Sequence, residues 1–236
     1  MHVPDGFLDA PTSVATGVVA AAGVALALRG ARKELDDRTA PMAGLVATFV
    51  FATQMLNFPV GAGTSGHLLG GALAAVLVGP WTGILSLSVV LLVQALLFAD
   101  GGITAIGTNV TLMGLIGVLT GWLAFRAAQA VLPKRVSMVP AAAAFGAFVS
   151  VPVAALGFVG LYAVGGTASL PLGTLTTAML GWHLLIGVGE AVITALVVSS
   201  VVAVRSDLVY GARRVLRRRQ LTLRNRPTTL SREHAA

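Results

Sequence analysis

From Arg38 to Asp100, and again from Arg135 to Glu190, the chain has no Asp, Glu, Lys or Arg between the residues that bound the stretch. A water-soluble domain needs charged side chains on its surface, whereas about 20 apolar residues suffice to cross the hydrocarbon core of a bilayer. Each stretch is longer than one crossing. With 56% hydrophobic and 11% charged residues and a mean hydropathy of +0.88, the chain reads as an all-α polytopic membrane protein.

Apolar runs and turn signals predict seven helices, at about 11–29, 41–57, 67–79, 81–99, 110–131, 138–164 and 175–204. The third is short and ends at Gly79-Pro80, which predicts a tight helical hairpin over 67–99. Small residues at Gly17-xxx-Ala21-xxx-Ala25 predict close helix packing. Three regions follow: an N-terminal segment 1–10, a transmembrane bundle 11–204 and a basic tail 205–236.

Basic residues in short loops stay cytoplasmic. With the N-terminus outside, Arg29, Arg32, Lys33 and Arg38 fall in one inner loop, Arg126, Lys134 and Arg135 in another, and the other nine of the sixteen Lys and Arg in the tail. The outer segments 1–10, 58–66, 100–109 and 165–174 carry only Asp5, Asp9 and Asp100. A net charge of +7 and a pI near 11.3 therefore reflect topology rather than nucleic-acid binding. The run Arg213-Arg214-Val215-Leu216-Arg217-Arg218-Arg219 is expected to lie against anionic lipid or a cytoplasmic partner.

This topology puts the opening Met1-His2 on the same outer face as His67, which sits in the glycine-rich run 61–67. A free N-terminus followed by histidine offers a metal the α-amine, the His2 amide and the His2 imidazole. Square-planar nitrogen donors of this kind suit Ni(II) or Cu(II). A fourth nitrogen is needed, and His67, His183 and His234 are the other histidines. Histidine is too bulky for Met1 to be removed, and an opening with Asp5 and Asp9 but no basic residue before Arg29 is not a secretory signal, so the amine is expected to persist. With no cysteine, thiolate sites and disulfides are excluded.

Asp5, Asp9 and Asp100 could offset the metal's charge. Each imidazole also needs its second nitrogen fixed, and Gln54, Asn57, Thr64, Ser65 and Asn109 are candidates. His183 and Glu190 share a helix face inside the membrane, where ionisable groups are costly. They read as a hydrogen-bonded pair. His234 reads as a solvated tail residue, Met55, Met113 and Met179 as packing, and Asp100-Gly101-Gly102 as a turn.

Several stretches together resemble the nickel/cobalt-specific substrate-binding S components of energy-coupling-factor (ECF) transporters, the CbiM/NikM family. They are Met1 to Leu8, Gln54 to Val60, Gly63 to Gly71, Leu92 to Gly102, Gly181-Trp182-His183 and Gly189-Glu190-Ala191. The resemblance implies a metal site at Met1, His2 and His67, with Pro4-Asp5 more like the nickel branch. It implies a prokaryotic inner-membrane importer for Ni(II), with Co(II) second. The implied partners are a transmembrane coupling protein (T component), two cytoplasmic ATPases and often a small auxiliary membrane subunit. The S component is thought to topple in the membrane, and Ala43-xxx-Ala47 offers a contact surface for the coupling protein. Leu112 departs from the family, which often has Asn there, while Asn109 matches.

No phosphate-binding G-x-x-x-x-G-K-[ST] loop and no HExxH motif is present, so the chain is expected to be non-catalytic and to draw on partner ATPases. The alternative is a stand-alone proton-coupled transporter using Glu190 and His183. An intramembrane metallohydrolase lacks a third clustered ligand.

Overall fold

The computed structural model describes residues 2–36, 39–56, 58–61 and 64–224. Helix α1 (Ala10–Ala31) starts where the Asp9 side chain accepts the Thr12 backbone N–H at 2.9 Å. That bond satisfies one of the donors a helix leaves open at its start. Helix α2 (Ala40–Gln54) leads into an antiparallel hairpin of β1 (Phe58–Gly61) and β2 (Thr64–Gly66), paired Phe58 to Gly66 and Pro59 to Ser65. Then come α3 (Gly71–Val78) and α4 (Pro80–Leu97). The short α5 (Ile106–Asn109), a π-helical stretch Val110–Gly117 and α6 (Val118–Val131) run on as one helix. Helices α7 (Val139–Gly165) and α8 (Leu172–Arg205) pack along each other, and α9 (Arg213–Arg224) ends the described chain.

Five of these helical spans are long and apolar enough to cross a membrane. The chain is an all-α polytopic membrane protein apart from the one small hairpin.

The third predicted helix needs correction. Only Gly71–Val78 is helical, and eight residues rise about 12 Å, well short of a 30 Å hydrocarbon core. Residues 67–70 run non-helically before it, and the second helix ends at Gln54 instead of reaching 57. Non-helical backbone at membrane depth survives only where protein surrounds it. Accordingly every residue of α3 is buried, as are His67, Leu69 and Gly70. The break between α3 and α4 falls at Gly79, with φ of 102°, followed by Pro80.

Two buried glutamates from elsewhere hold the starts of this broken pair. The Glu190 carboxylate accepts the backbone N–H groups of Leu69 (2.7 Å) and Gly70 (3.0 Å) ahead of α3. Glu34 does the same for α4, accepting from the N–H groups of Trp81 (3.2 Å) and Thr82 (2.8 Å). Anions are stabilised at helix N-termini, where N–H groups lack partners and the helix dipole is positive.

The α1 stripe also differs from expectation. Its buried line is Thr12, Thr16, Ala20, Ala27 and Ala31, while Ala21 and Ala25 are exposed. The Thr16 hydroxyl meets that of Thr108 at 2.8 Å, and Thr111 donates to the Thr16 carbonyl at 3.0 Å. Polar contacts of this kind help to hold helices together in lipid. Ala43 is partly buried and packs against the core.

Loops assigned to one side by their charges meet each other. At one end, Asp9 N–H donates to Gly165 (2.7 Å), Thr167 N–H to Phe7 (3.1 Å) and Gly102 N–H to Val3 (2.9 Å). At the other, Arg213 donates to the Glu34 carbonyl (3.2 Å) and Gln129 to that of Gly211 (2.9 Å). Two apolar clusters fill the space between, one around Leu69, Met113 and Phe158, the other around Val76, Phe125 and Val139. The beginning of the tail belongs to the second, since Val209 and Ala212 are buried in it.

Candidate metal centre

The N-terminal segment is threaded into the outer end. Asn109 accepts the Val3 N–H at 2.7 Å and donates to the Val3 carbonyl at 3.1 Å, a two-point clamp at the start of the π-helical stretch. Asp5 accepts the backbone N–H of Thr104 at 2.7 Å and also its hydroxyl. Those bonds hold the Asp5 carboxyl below its ordinary value of 3.8, and the bonds of Asp9 to Thr12 do the same there.

The turn at 100–102 is what lets the segment come so close. A Cβ on Gly102 would lie 2.4 Å from the Asp5 nitrogen, and Gly101 (φ 93°) faces His2 and Asn109.

This threading brings His2 against His67. Their rings stack at 25° with centroids 4.4 Å apart. His2 Nε2 lies 3.1 Å from the Gln94 side-chain oxygen, a contact that suits a proton on Nε2 and a lone pair on Nδ1. That Nδ1 is buried without a hydrogen-bond partner, although Asp100 Oδ1 stands 3.1 Å away in ion-pair range. A carboxylate at that distance calls for a positive charge between the two, a proton on Nδ1 or a metal ion. In a chelate through the His2 amide, Nδ1 is the ring atom that closes the smaller loop.

His67 is set the same way. Its Nδ1 donates to the Leu68 carbonyl at 2.8 Å, which leaves Nε2 as the lone-pair nitrogen, fully buried and unpartnered. Gln54 steadies the strand beneath by donating to the Leu69 carbonyl at 2.6 Å, with its own side-chain oxygen left unpartnered.

Of the residues singled out from sequence, His2, His67, Asp5, Gln54 and Asn109 meet in this corner. Met1, Asn57 and His234 lie outside the described residues, as do the side chains of Thr64 and Ser65. Among the described residues no group of three or more His, Cys, Asp or Glu side chains could hold a metal ion. A site here draws on main-chain nitrogen as well as imidazole.

His183 and Glu190 do not bond to each other. His183 Nδ1 donates to the Met179 carbonyl at 2.7 Å and its Nε2 has no partner, while Glu190 holds the backbone ahead of α3. Sharing a helix face put them in register, but the non-helical stretch 67–70 supplied the backbone donors that Glu190 accepts. Gln94 was missed as a site residue. Its signal was a fully buried amide in the apolar run Leu92-Val93-Gln94-Ala95. Asp100, read as part of a turn, also faces His2.

The bundle is that of a polytopic membrane protein, with two imidazoles stacked in one corner, each with a ring nitrogen that has no hydrogen-bond partner. The family described as cobalt uptake substrate-specific transmembrane region matches residues 2–208, and the chain belongs to it. It is similar to a Haloquadratum walsbyi protein assigned to metal transport, 38% identical over 210 residues that cover 89% of this chain and 94% of the relative. It is similar to an Archaeoglobus fulgidus protein assigned as a fused nickel transport protein, 38% identical over 89% of this chain and 68% of the relative. A solved structure of a truncated transition metal transporter superposes with a TM-score of 0.79 at 31% identity, covering 86% of this chain and 99% of that one.

Proposed function

We propose that the chain is the substrate-binding subunit of an ATP-driven importer of the ECF type. It captures Ni(II), or in second place Co(II), at the outer face in a near-square-planar set of four nitrogens. The donors are the Met1 amine, the ionised His2 amide, His2 Nδ1 and His67 Nε2. The observation that carries this reading is the stacked His2–His67 pair, each ring with one buried lone-pair nitrogen left free. Loss of the amide proton lowers the ion's charge, and Asp100 beside His2 lowers it further.

Gln94 and the Leu68 carbonyl fix the two tautomers, as the outer partners of metal-bound imidazoles do. The chain has no ATPase motif of its own, so uptake requires a transmembrane coupling protein and two cytoplasmic ATPases, with a small auxiliary membrane subunit as a further partner.

Acetylating the N-terminal amine tests the chelate directly. The amine is then lost as a donor, and Ni(II) affinity should fall about a hundredfold or more in a titration of the purified protein. Undiminished affinity would sink the site. Proton coupling through Glu190 and His183 gains no support, because the Glu190 carboxylate is engaged by Leu69 and Gly70. Uptake that persists in cells lacking the ATPases would revive it.

A further inference from the structure

The opposite end of the bundle carries a second feature. Where α6 meets α9, a cavity of about 320 Å³ is lined by Arg126, Gln129, Lys134, Arg214 and Arg218. A neighbouring cavity of about 260 Å³ is lined by Lys33, Trp122, Arg126, Tyr210, Arg213 and Arg214. Arg126 and Arg214 border both, and among the described residues no carboxylate lines either.

The acidic residues of this region are committed elsewhere. Glu34 is turned onto the start of α4, Asp207 pairs with Arg205, and Asp36 accepts the Thr39 backbone N–H and hydroxyl, each at 2.9 Å, while standing 4.0 Å from Arg213. The cations are also held in place. The Arg126 guanidinium lies 5.7 Å from the Trp122 ring centre and that of Arg213 4.8 Å from Tyr210. Lys134 Nζ donates to the carbonyls of Gln129 and Ala130. Planar guanidinium groups fixed in this way match phosphate oxygens at little entropic cost.

We propose that this pair of cavities is a binding site for the phosphate-bearing headgroup of an anionic phospholipid of the inner leaflet. Three features favour a lipid over a free anion. The site lies on the face where the basic residues place the cytoplasm. Trp122 and Tyr210 are of the type that sits at headgroup level. On the membrane side of Arg126, α6 presents Leu123 (66% exposed), an apolar surface for the acyl chains. Basic clusters at the inner surface attract anionic lipid by about 1 kcal/mol per residue. Each phosphate here meets cations from two elements of the fold.

The test is native mass spectrometry of the full chain, titrated in detergent with phosphatidylglycerol, phosphatidylcholine or sodium phosphate. The wild type should retain phosphatidylglycerol in preference to phosphatidylcholine. Replacing Arg126→Gln with Arg214→Gln should weaken that retention about thirtyfold. Arg126→Lys with Arg214→Lys should keep most of it, and an unchanged thermal melt guards against misfolding. Arg29→Gln with Arg32→Gln removes the same charge from the end of α1 and should change nothing. Equal loss in that control pair would reduce the site to general surface charge and overturn the proposal. Displacement of the lipid by millimolar phosphate would make it a small-anion site, and exclusion of lipid on assembly with the transporter partners would make it a protein contact; either result overturns it too.

Discussion

The Glu190 carboxylate lies 2.7 Å from the backbone nitrogen of Leu69 and also accepts from Gly70, so a side chain of α8 closes the start of the half-length helix α3. Two buried N–H groups depend on it, and a buried donor left without a partner costs about 1–3 kcal/mol. Glu190→Ala should therefore destabilise the protein by about 2–5 kcal/mol, read as a lower melting temperature in detergent. Ni(II) affinity should fall with it, because His67 directly precedes this stretch. Glu190→Gln keeps one acceptor and should retain much of both properties. Abolished uptake in Glu190→Gln with normal stability would instead mark the carboxyl as a proton carrier.

Gln94 offers a separate handle on the metal corner. Its side-chain oxygen fixes the proton on His2 Nε2 and leaves Nδ1 free. Leucine at this position removes the acceptor with little change in volume. Outer partners of metal ligands are worth about 10–100-fold in affinity, and Gln94→Leu should weaken Ni(II) binding by that much. The melting temperature of the metal-free protein should move little, since the Gln94 amide nitrogen already lacks a partner. Wild-type affinity in Gln94→Leu would show that the tautomer is set by another group.

Much of this was legible in the sequence because a bilayer makes hydropathy decisive. Each of the seven predicted segments contains a helix, and the charges of the loops put His2 and His67 on one face, where their rings stack. The halving of α3 was not legible. Periodicity cannot show that residues 67–70 are non-helical, since the bonds that allow it come from Glu190 and Gln54, which are distant in sequence. The Gly17-Ala21-Ala25 spacing marked small residues at helical repeat but not which side turns inward. Thr12, Thr16 and Ala20 mark that side: the Thr16 hydroxyl meets Thr108 of α5, and the Thr16 carbonyl accepts from Thr111. Gln94 was hidden by its neighbours, Leu92, Val93 and Ala95.

Asp5 bears on the pH dependence. Thr104 holds its carboxyl below 3.8, so the stabilisation it gives the N-terminal segment is present above 3.8 and is lost as pH falls through that lowered value. Between about pH 5 and 8 Asp5 stays ionised. A fall in Ni(II) affinity across that window therefore does not come from Asp5. Asp5→Asn should weaken binding several-fold at every pH by loosening the segment, with the slope against pH unchanged in titrations at pH 5, 6, 7 and 8. A flattened slope in Asp5→Asn would assign the titration to the carboxyl.

The contact of α1 with α5 makes an asymmetric prediction. A Cβ on Gly107 would fall 2.4 Å from the Gly17 Cα and 2.8 Å from its nitrogen, backbone that cannot swing aside. A Cβ on Gly17 would meet nothing within 4 Å. Two glycines at one crossing therefore differ in what they tolerate. Gly107→Ala forces the helices apart next to the Thr16–Thr108 contact and should cost about 1–3 kcal/mol, the usual penalty for overfilling a packed site. Gly17→Ala should be neutral or stabilise by about 0.5 kcal/mol, since alanine is the better helix former. Because Gly107 precedes Asn109 by half a turn, the same displacement should loosen the clamp on Val3 and lower metal affinity, while Gly17→Ala leaves affinity intact. Melting curves and Ni(II) titrations of the two variants side by side decide it: equal behaviour would mean that the helices do not approach closely here.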